Sequence, residues 1–139
     1  MKIKIKKLNP EAILPKYARE GDAGLDLYSC EETILKPGER KMVSAGIAME
    51  LAEGYVALIW DRSGNASKGI KTMGGVVDYT YRGEFKIIML NTSNENFEIK
   101  KGQRIAQLLI QPIETVEVEE VSELNETERG VKGFGSTGI

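Results

Sequence analysis

Five short stretches of the 139-residue chain concentrate side chains that could do chemistry: DAGLDLYS at 22–29, DRSGNASKG at 61–69, GGVVDYTYRGEFKIIMLN at 74–91, KGQRIAQLLI at 101–110 and ERGVKGFGSTGI at 128–139. The chain has no histidine, which removes the commonest general base, the commonest metal ligand and every Ser-His or Cys-His mechanism. Its single cysteine, Cys30, excludes an intrachain disulfide and a thiolate zinc site, and it fits a reducing compartment. With no histidine to activate it, Cys30 reads as a small buried hydrophobe. Catalysis must then run on carboxylates, cations or backbone groups.

Each stretch has a functional reading and a plainer one. Asp26 stands between Leu25 and Leu27; an acid so flanked either faces solvent or is held for a purpose, and the residues alone favour solvent. Arg62, the Ser63 hydroxyl and the backbone N–H groups around Gly64 could converge on one anion, although a tight turn with a surface arginine has the same composition. Asp78 is a natural turn former, but the turn does not require Tyr81 three residues later. Gln107 lies amid Ile105, Ala106, Leu108, Leu109 and Ile110, where a buried amide needs partners. In the tail, Gly130, Gly133, Gly135 and Gly138 would let the backbone wrap closely around a ligand. Arg129, Ser136 and Thr137 could donate to phosphate there, and Phe134 offers a stacking face. That tail lacks the lysine and the following helix of a P-loop.

The elements that must position these residues read as strands. Lys2 to Leu8 alternates lysine with isoleucine until Lys7 interrupts it, the period of a strand with one face in water. Turn signals KPGE at 36–39, EG at 53–54, RSGN at 62–65, MGG at 73–75, RGE at 82–84 and KKGQ at 100–103 separate apolar runs at 42–51, 55–60, 85–90 and 105–110. Short strands so spaced predict an all-β sandwich, barrel or jelly roll, with no convincing helix before Glu114. Val116, Val118 and Val121 predict one last strand, and SELNETER at 122–129 reads as linker. The chain is the size of one domain, and its 19 basic against 21 acidic residues give no sign of a nucleic-acid or membrane partner. The basic N-terminus lacks an apolar signal region and no apolar run reaches ~18 residues, so a cytoplasmic protein is expected.

In order and spacing the five stretches resemble the five motifs of the trimeric dUTPase family: AGLDL at 23–27, RSG at 62–64, GVVDYTYRGE at 75–84, GQRIAQ at 102–107 and RGVKGFGSTG at 129–138. The resemblance implies Mg²⁺-dependent hydrolysis of dUTP to dUMP and pyrophosphate, which keeps uracil out of DNA and supplies dUMP for thymidylate synthesis. The implied subunit is a distorted jelly roll, or β-clip, over 1–122, followed by a linker and flexible C-terminal lid arm over 123–139. It implies a homotrimer with shared active sites. Asp78 would be the general base; Gly75 and Val77 would read the uracil edge through the backbone, and Tyr81 would pack under the deoxyribose. Arg62, Ser63, Gly64 and Gln107 would bind the phosphate chain, and Asp26 would reach the metal through water. The arm would close with Phe134 on the uracil ring and Arg129, Gly135, Ser136 and Thr137 around the phosphates.

Two positions depart from that pattern. Asp61 stands where the second motif usually begins with proline, so its charge should repel the triphosphate unless the side chain turns away. Thr72 stands where many relatives carry a uracil-contacting asparagine. A dCTP deaminase shares the implied fold but carries a catalytic glutamate at the position of Ile88 here. A nucleotide-responsive regulatory protein is the alternative from another class.

Overall fold

The computed structural model describes residues 2–133. In chain order its regular elements are β1 (Lys4–Lys7), β2 (Leu25–Tyr28), β3 (Thr33–Leu35), β4 (Arg40–Ser44), β5 (Ile47–Glu50), β6 (Tyr55–Trp60), the single-turn α1 (Ser63–Ala66), β7 (Ile70–Met73), β8 (Val76–Asp78), β9 (Lys86–Asn91), β10 (Phe97–Ile99) and β11 (Arg104–Pro112). The all-β expectation holds. Period-two burial is clear in β9, where Ile87, Met89 and Asn91 point inward while Lys86 is exposed. By contrast, all four residues of β2 are buried, so that strand is covered on both faces.

The strands pair antiparallel in a four-stranded sheet of order β2-β11-β6-β8, a three-stranded sheet β4-β9-β7 and the two pairs β1-β5 and β10-β3. Leu27, Ile47, Ile87, Met89, Ile105 and Leu108, each at most 1% exposed, belong to one shared core. Each such side chain contributes about 1.5–3 kcal/mol on burial, so the core holds the sheets in a fixed relation. Cys30 packs into it as a buried free thiol.

Three local expectations are corrected. The apolar run at 42–51 makes two strands, because the chain breaks at Gly46, whose φ of 66° and close approach to Cys30 admit no side chain. The turn expected at 62–65 closes as α1, with Asn65 buried and its amide donating to the Ile105 carbonyl at 3.0 Å. No strand forms at 116–121; residues 111–132 are exposed, with Val116 at 73% and Val118 at 88%. Alternating valines and glutamates give a strand its two faces, but a strand also needs an edge to pair with. Among the described residues this chain offers that segment none.

The corner between β7 and β8 is pinned against β6. The Ile59 amide donates to the Gly75 carbonyl at 2.7 Å, and Gly75 has φ of 106°. A Cβ there would lie 2.6 Å from the Ile59 carbonyl oxygen. Gly75→Ala should therefore cost about 2 kcal/mol or more of folding free energy. A urea unfolding curve reads this as a lowered midpoint, and an unchanged midpoint would show that the corner relaxes freely.

Candidate active site

Two clusters of the singled-out residues form, at opposite ends of β6. At its far end, Trp60 is in register with Gln107 of β11, which is in turn in register with Asp26 of β2. The chain then turns through Asp61 and Arg62 into α1. Arg62 Nε donates to Asp26 Oδ1 at 2.9 Å and Arg104 donates to Asp26 Oδ2 at 3.2 Å. The Gln107 amide donates to the Asp61 carbonyl at 2.7 Å, which gives this partly buried side chain its partner. Gly24 allows its close approach, because a Cβ there would sit 2.5 Å from Gln107 Oε1 and force that side chain to shift. A polar cavity of about 200 Å³ opens here, walled by Asp22, Gly24, Asp26, Arg62, Ser63 and Gln107. Ser63 and Gly64 are exposed, and the Arg62 fork keeps donors that Asp26 does not use.

Asp26 is buried at 7% exposure, which corrects the solvent-facing reading. Arg104 is the residue that the sequence pattern concealed. Period two puts positions 104 and 107 on opposite faces of a strand. The register slips between Arg104 and Ala106, so Arg104 faces Tyr28 while Gln107 faces Asp26. That bulge brings Arg104 to the Asp26 side, and nothing in the local sequence marks it. Burial, with the Asp26 charge second, pushes the neighbouring Tyr28 hydroxyl above its ordinary pKa, so it stays protonated.

Asp61 turns away from the cavity. Its Oδ1 accepts from the Thr72 amide and the Thr72 hydroxyl, each at 2.6 Å, and its Oδ2 accepts from Lys71 at 2.6 Å. Burial raises the Asp61 pKa, but these bonds outweigh it and hold the carboxyl below its ordinary range. The two departures from the family pattern thus face each other. Thr72 is 7% exposed and bonded to Asp61.

The second cluster surrounds β8. A cavity of about 470 Å³ is lined by Gly75, Val77, Asp78 and Tyr81 on one side and by Phe85, Ile87 and Ile88 on the other. Asp78 is exposed at the end of β8. The Tyr81 amide donates to the Asp78 carbonyl at 3.1 Å, and the Tyr81 hydroxyl donates to the Glu84 carbonyl at 3.1 Å. Gly83 leaves room for that ring, since a Cβ there would run into the Tyr81 hydroxyl. The Glu84 carboxylate is engaged by Ser44 Oγ and the Gly46 amide. Ile88 places no carboxylate in this cavity.

The pairing keeps the two clusters of one chain apart. Asp78 faces Val56 across one edge of β6, whereas Gln107 faces Trp60 across the other. Four residues along the strand are about 13 Å and two strand spacings about 10 Å.

Among the described residues no group of three or more His, Cys, Asp or Glu side chains could cage a metal. Asp26 lines the polar cavity with both oxygens already facing arginines. This donor set fits a metal that arrives on a triphosphate and is met through water. Arg129 is exposed, its Nε donating to the Lys132 carbonyl at 3.0 Å. Phe134, Gly135, Ser136 and Thr137 lie outside the described residues.

Removing the charge between two guanidinium groups leaves them uncompensated. Asp26→Asn should lower folding free energy by about 3 kcal/mol, measured by urea denaturation. Wild-type stability in that variant would mean that solvent compensates the two guanidinium groups without Asp26.

A family model described as dUTPase matches residues 10–138. The deoxyuridine 5'-triphosphate nucleotidohydrolase of Nautilia profundicola is 53% identical over 99% of each chain, and that of Clostridium kluyveri 51% identical over 99% of each. Among solved structures, the Staphylococcus bacteriophage 80alpha dUTPase with dUPNHPP superposes with a TM-score of 0.93 at 32% identity, covering 99% of each chain. A mutant dUTPase of S. aureus phage phi11, whose structure reveals the coordination of a structural Mg(II) ion, matches with a TM-score of 0.84 at 27% identity over 91% of this chain and 100% of its own. A histidine-free all-β body carrying five ordered motifs, matched from end to end by these relatives, belongs to the dUTPase family of nucleotide hydrolases.

Proposed function

We propose that this chain hydrolyses dUTP to dUMP and pyrophosphate in a site assembled from neighbouring copies. The observation that carries this reading is the separation of its two clusters. A general base and the groups that hold the phosphates must meet at one α-phosphorus. On one chain, Asp78 and Gln107 are held roughly 16 Å apart by β6. The Asp78 cavity of one copy facing the Arg62 cavity of another removes that difficulty, and a closed homotrimer repeats the arrangement three times. The exposed Val116, Val118 and Leu124 support it, because apolar side chains with no cover among the described residues are suited to lie on a neighbour. The body 1–122 and the linker and arm 123–139 then have separate jobs, folding and closure.

In this mechanism Asp78 orients a water and takes its proton as the oxygen attacks the α-phosphorus. The bond from that phosphorus to its bridging oxygen breaks, and pyrophosphate leaves. The backbone at Gly75 and Val77 reads the uracil edge, and the Tyr81 ring packs under the deoxyribose, leaving no space for a 2'-hydroxyl. From another copy, Arg62, Ser63, Gly64 and Gln107 grip the phosphates, so positioning and charge stabilisation carry most of the rate. Mg²⁺ on the triphosphate would neutralise charge as the leaving group departs, with Asp26 holding its waters. Arg129, Phe134, Gly135, Ser136 and Thr137 of the arm close over the base and phosphates and exclude bulk water. The reaction removes dUTP as a source of uracil in DNA and supplies dUMP for thymidylate synthesis. Deamination is disfavoured because Ile88 offers no acid and Glu84 is bonded to Ser44 and Gly46.

Pyrophosphate release with Mg²⁺ should be fast for dUTP and slow for dCTP, dTTP and UTP, with no ammonia produced. Asp78→Asn should lower kcat by about 10²–10⁴-fold while retaining affinity for dUpNHpp. Ammonia from dCTP, or undiminished turnover in Asp78→Asn, would overturn this reading.

A further inference from the structure

We propose that Asp61 is a positioning residue that clamps the phosphate-binding turn before the nucleotide arrives. The proposal rests on the dUTP reading above and adds a residue to which that reading gives no role.

The turn has little of its own to hold it. Its helix has a single turn, Arg62 makes no side-chain cap, Ser63 is exposed and nothing lies within 4 Å of where a Gly64 Cβ would be. Within α1 only Asn65 is buried, and its amide ties the far end of the turn to the Ile105 carbonyl. At the near end the Arg62 side chain is tied to Asp26, and the remaining ties are those of Asp61. Its carbonyl accepts from Gln107, and its carboxylate accepts from the Thr72 amide, the Thr72 hydroxyl and Lys71. Asp61 thereby closes residues 61–72 into a ring across β7 and sets where Arg62 and Ser63 begin. Thr72 is buried, so the anchor is rigid. Side chains fixed in advance spare the nucleotide the entropic cost of ordering them, and that saving falls on the contacts to its phosphates.

The atoms separate this role from general stabilisation. Both Thr72 bonds end on Oδ1, which an asparagine keeps as its amide oxygen. The Lys71 pair is lost and the asparagine NH2 takes the place of Oδ2, but Lys71 is 56% exposed and can turn into solvent, and an ion pair there contributes little. Asp61→Asn should therefore keep KM for dUTP within about threefold of wild type. Asp61→Ala should raise KM about tenfold with kcat within about threefold, and should weaken dUpNHpp about tenfold but dUMP less than threefold. A loosened fold would weaken both ligands together.

The experiment measures KM, kcat and the affinities for dUpNHpp and dUMP in wild type, Asp61→Asn and Asp61→Ala, with melting curves as a control. Wild-type turnover tests the dUTP reading; only the ratio of variant to wild type tests the clamp. Should Asp61→Ala fail to fold, the near-isosteric Thr72→Val removes one donor to Oδ1 and should shift KM and dUpNHpp affinity in the same direction by about threefold. Wild-type KM and dUpNHpp affinity in a folded Asp61→Ala or Thr72→Val, or equal losses for dUpNHpp and dUMP, would overturn the proposal.

Discussion

Strand β6 is hydrogen-bonded along both edges, to β11 on one side and β8 on the other. That double pairing sets the geometry on which the chemistry depends. It fixes Asp78 beside Val56 and Gln107 beside Trp60, and no side-chain rotation can bring Asp78 and the Gln107 cluster of one chain together. The core beneath it, with Ala57 and Leu108 fully buried, makes the spacing rigid. A protein so built either leaves its functional groups idle or completes its site with another copy. The valines exposed after Pro112, on a segment otherwise rich in glutamate, are consistent with completion.

The polar end of the site is organised by charge. Asp26 takes one arginine on each oxygen, so Arg62 and Arg104 are held close together without repelling each other. A buried carboxylate of this kind adds little net stability, but its removal is costly. Its value lies in fixing where a guanidinium fork points. Asp61 does the equivalent for the backbone at the start of the turn. Its negative charge, at first sight hostile to a phosphate site, is directed into β7.

Much of this was legible in the sequence wherever the information was local. The run at 55–60 became β6, and Gln107 announced itself as a polar residue in an apolar strand in need of a partner. What stayed hidden was long-range. The Arg104 contact with Asp26 spans 78 positions and depends on a bulge. Asp61 and Thr72 each looked like an isolated departure because they are 11 positions apart in sequence and meet only when β7 returns beside the turn. Asp26 was misread because flanking leucines cannot tell a half-exposed strand from one covered on both faces. The strand expected at 116–121 failed for a related reason, since pattern specifies faces and not the existence of a pairing edge.

The central claim is that Asp78 and Arg62 act in one site from different chains. Asp78→Asn and Arg62→Ala should each retain only a small residual activity when assembled alone. Unfolded together and refolded as an equal mixture, they should regain about a quarter of wild-type dUTP turnover, since a site needs an intact Asp78 from one chain and an intact Arg62 from the next. Activity no greater than that of the two parents would contradict the shared site and place the whole reaction within a single chain.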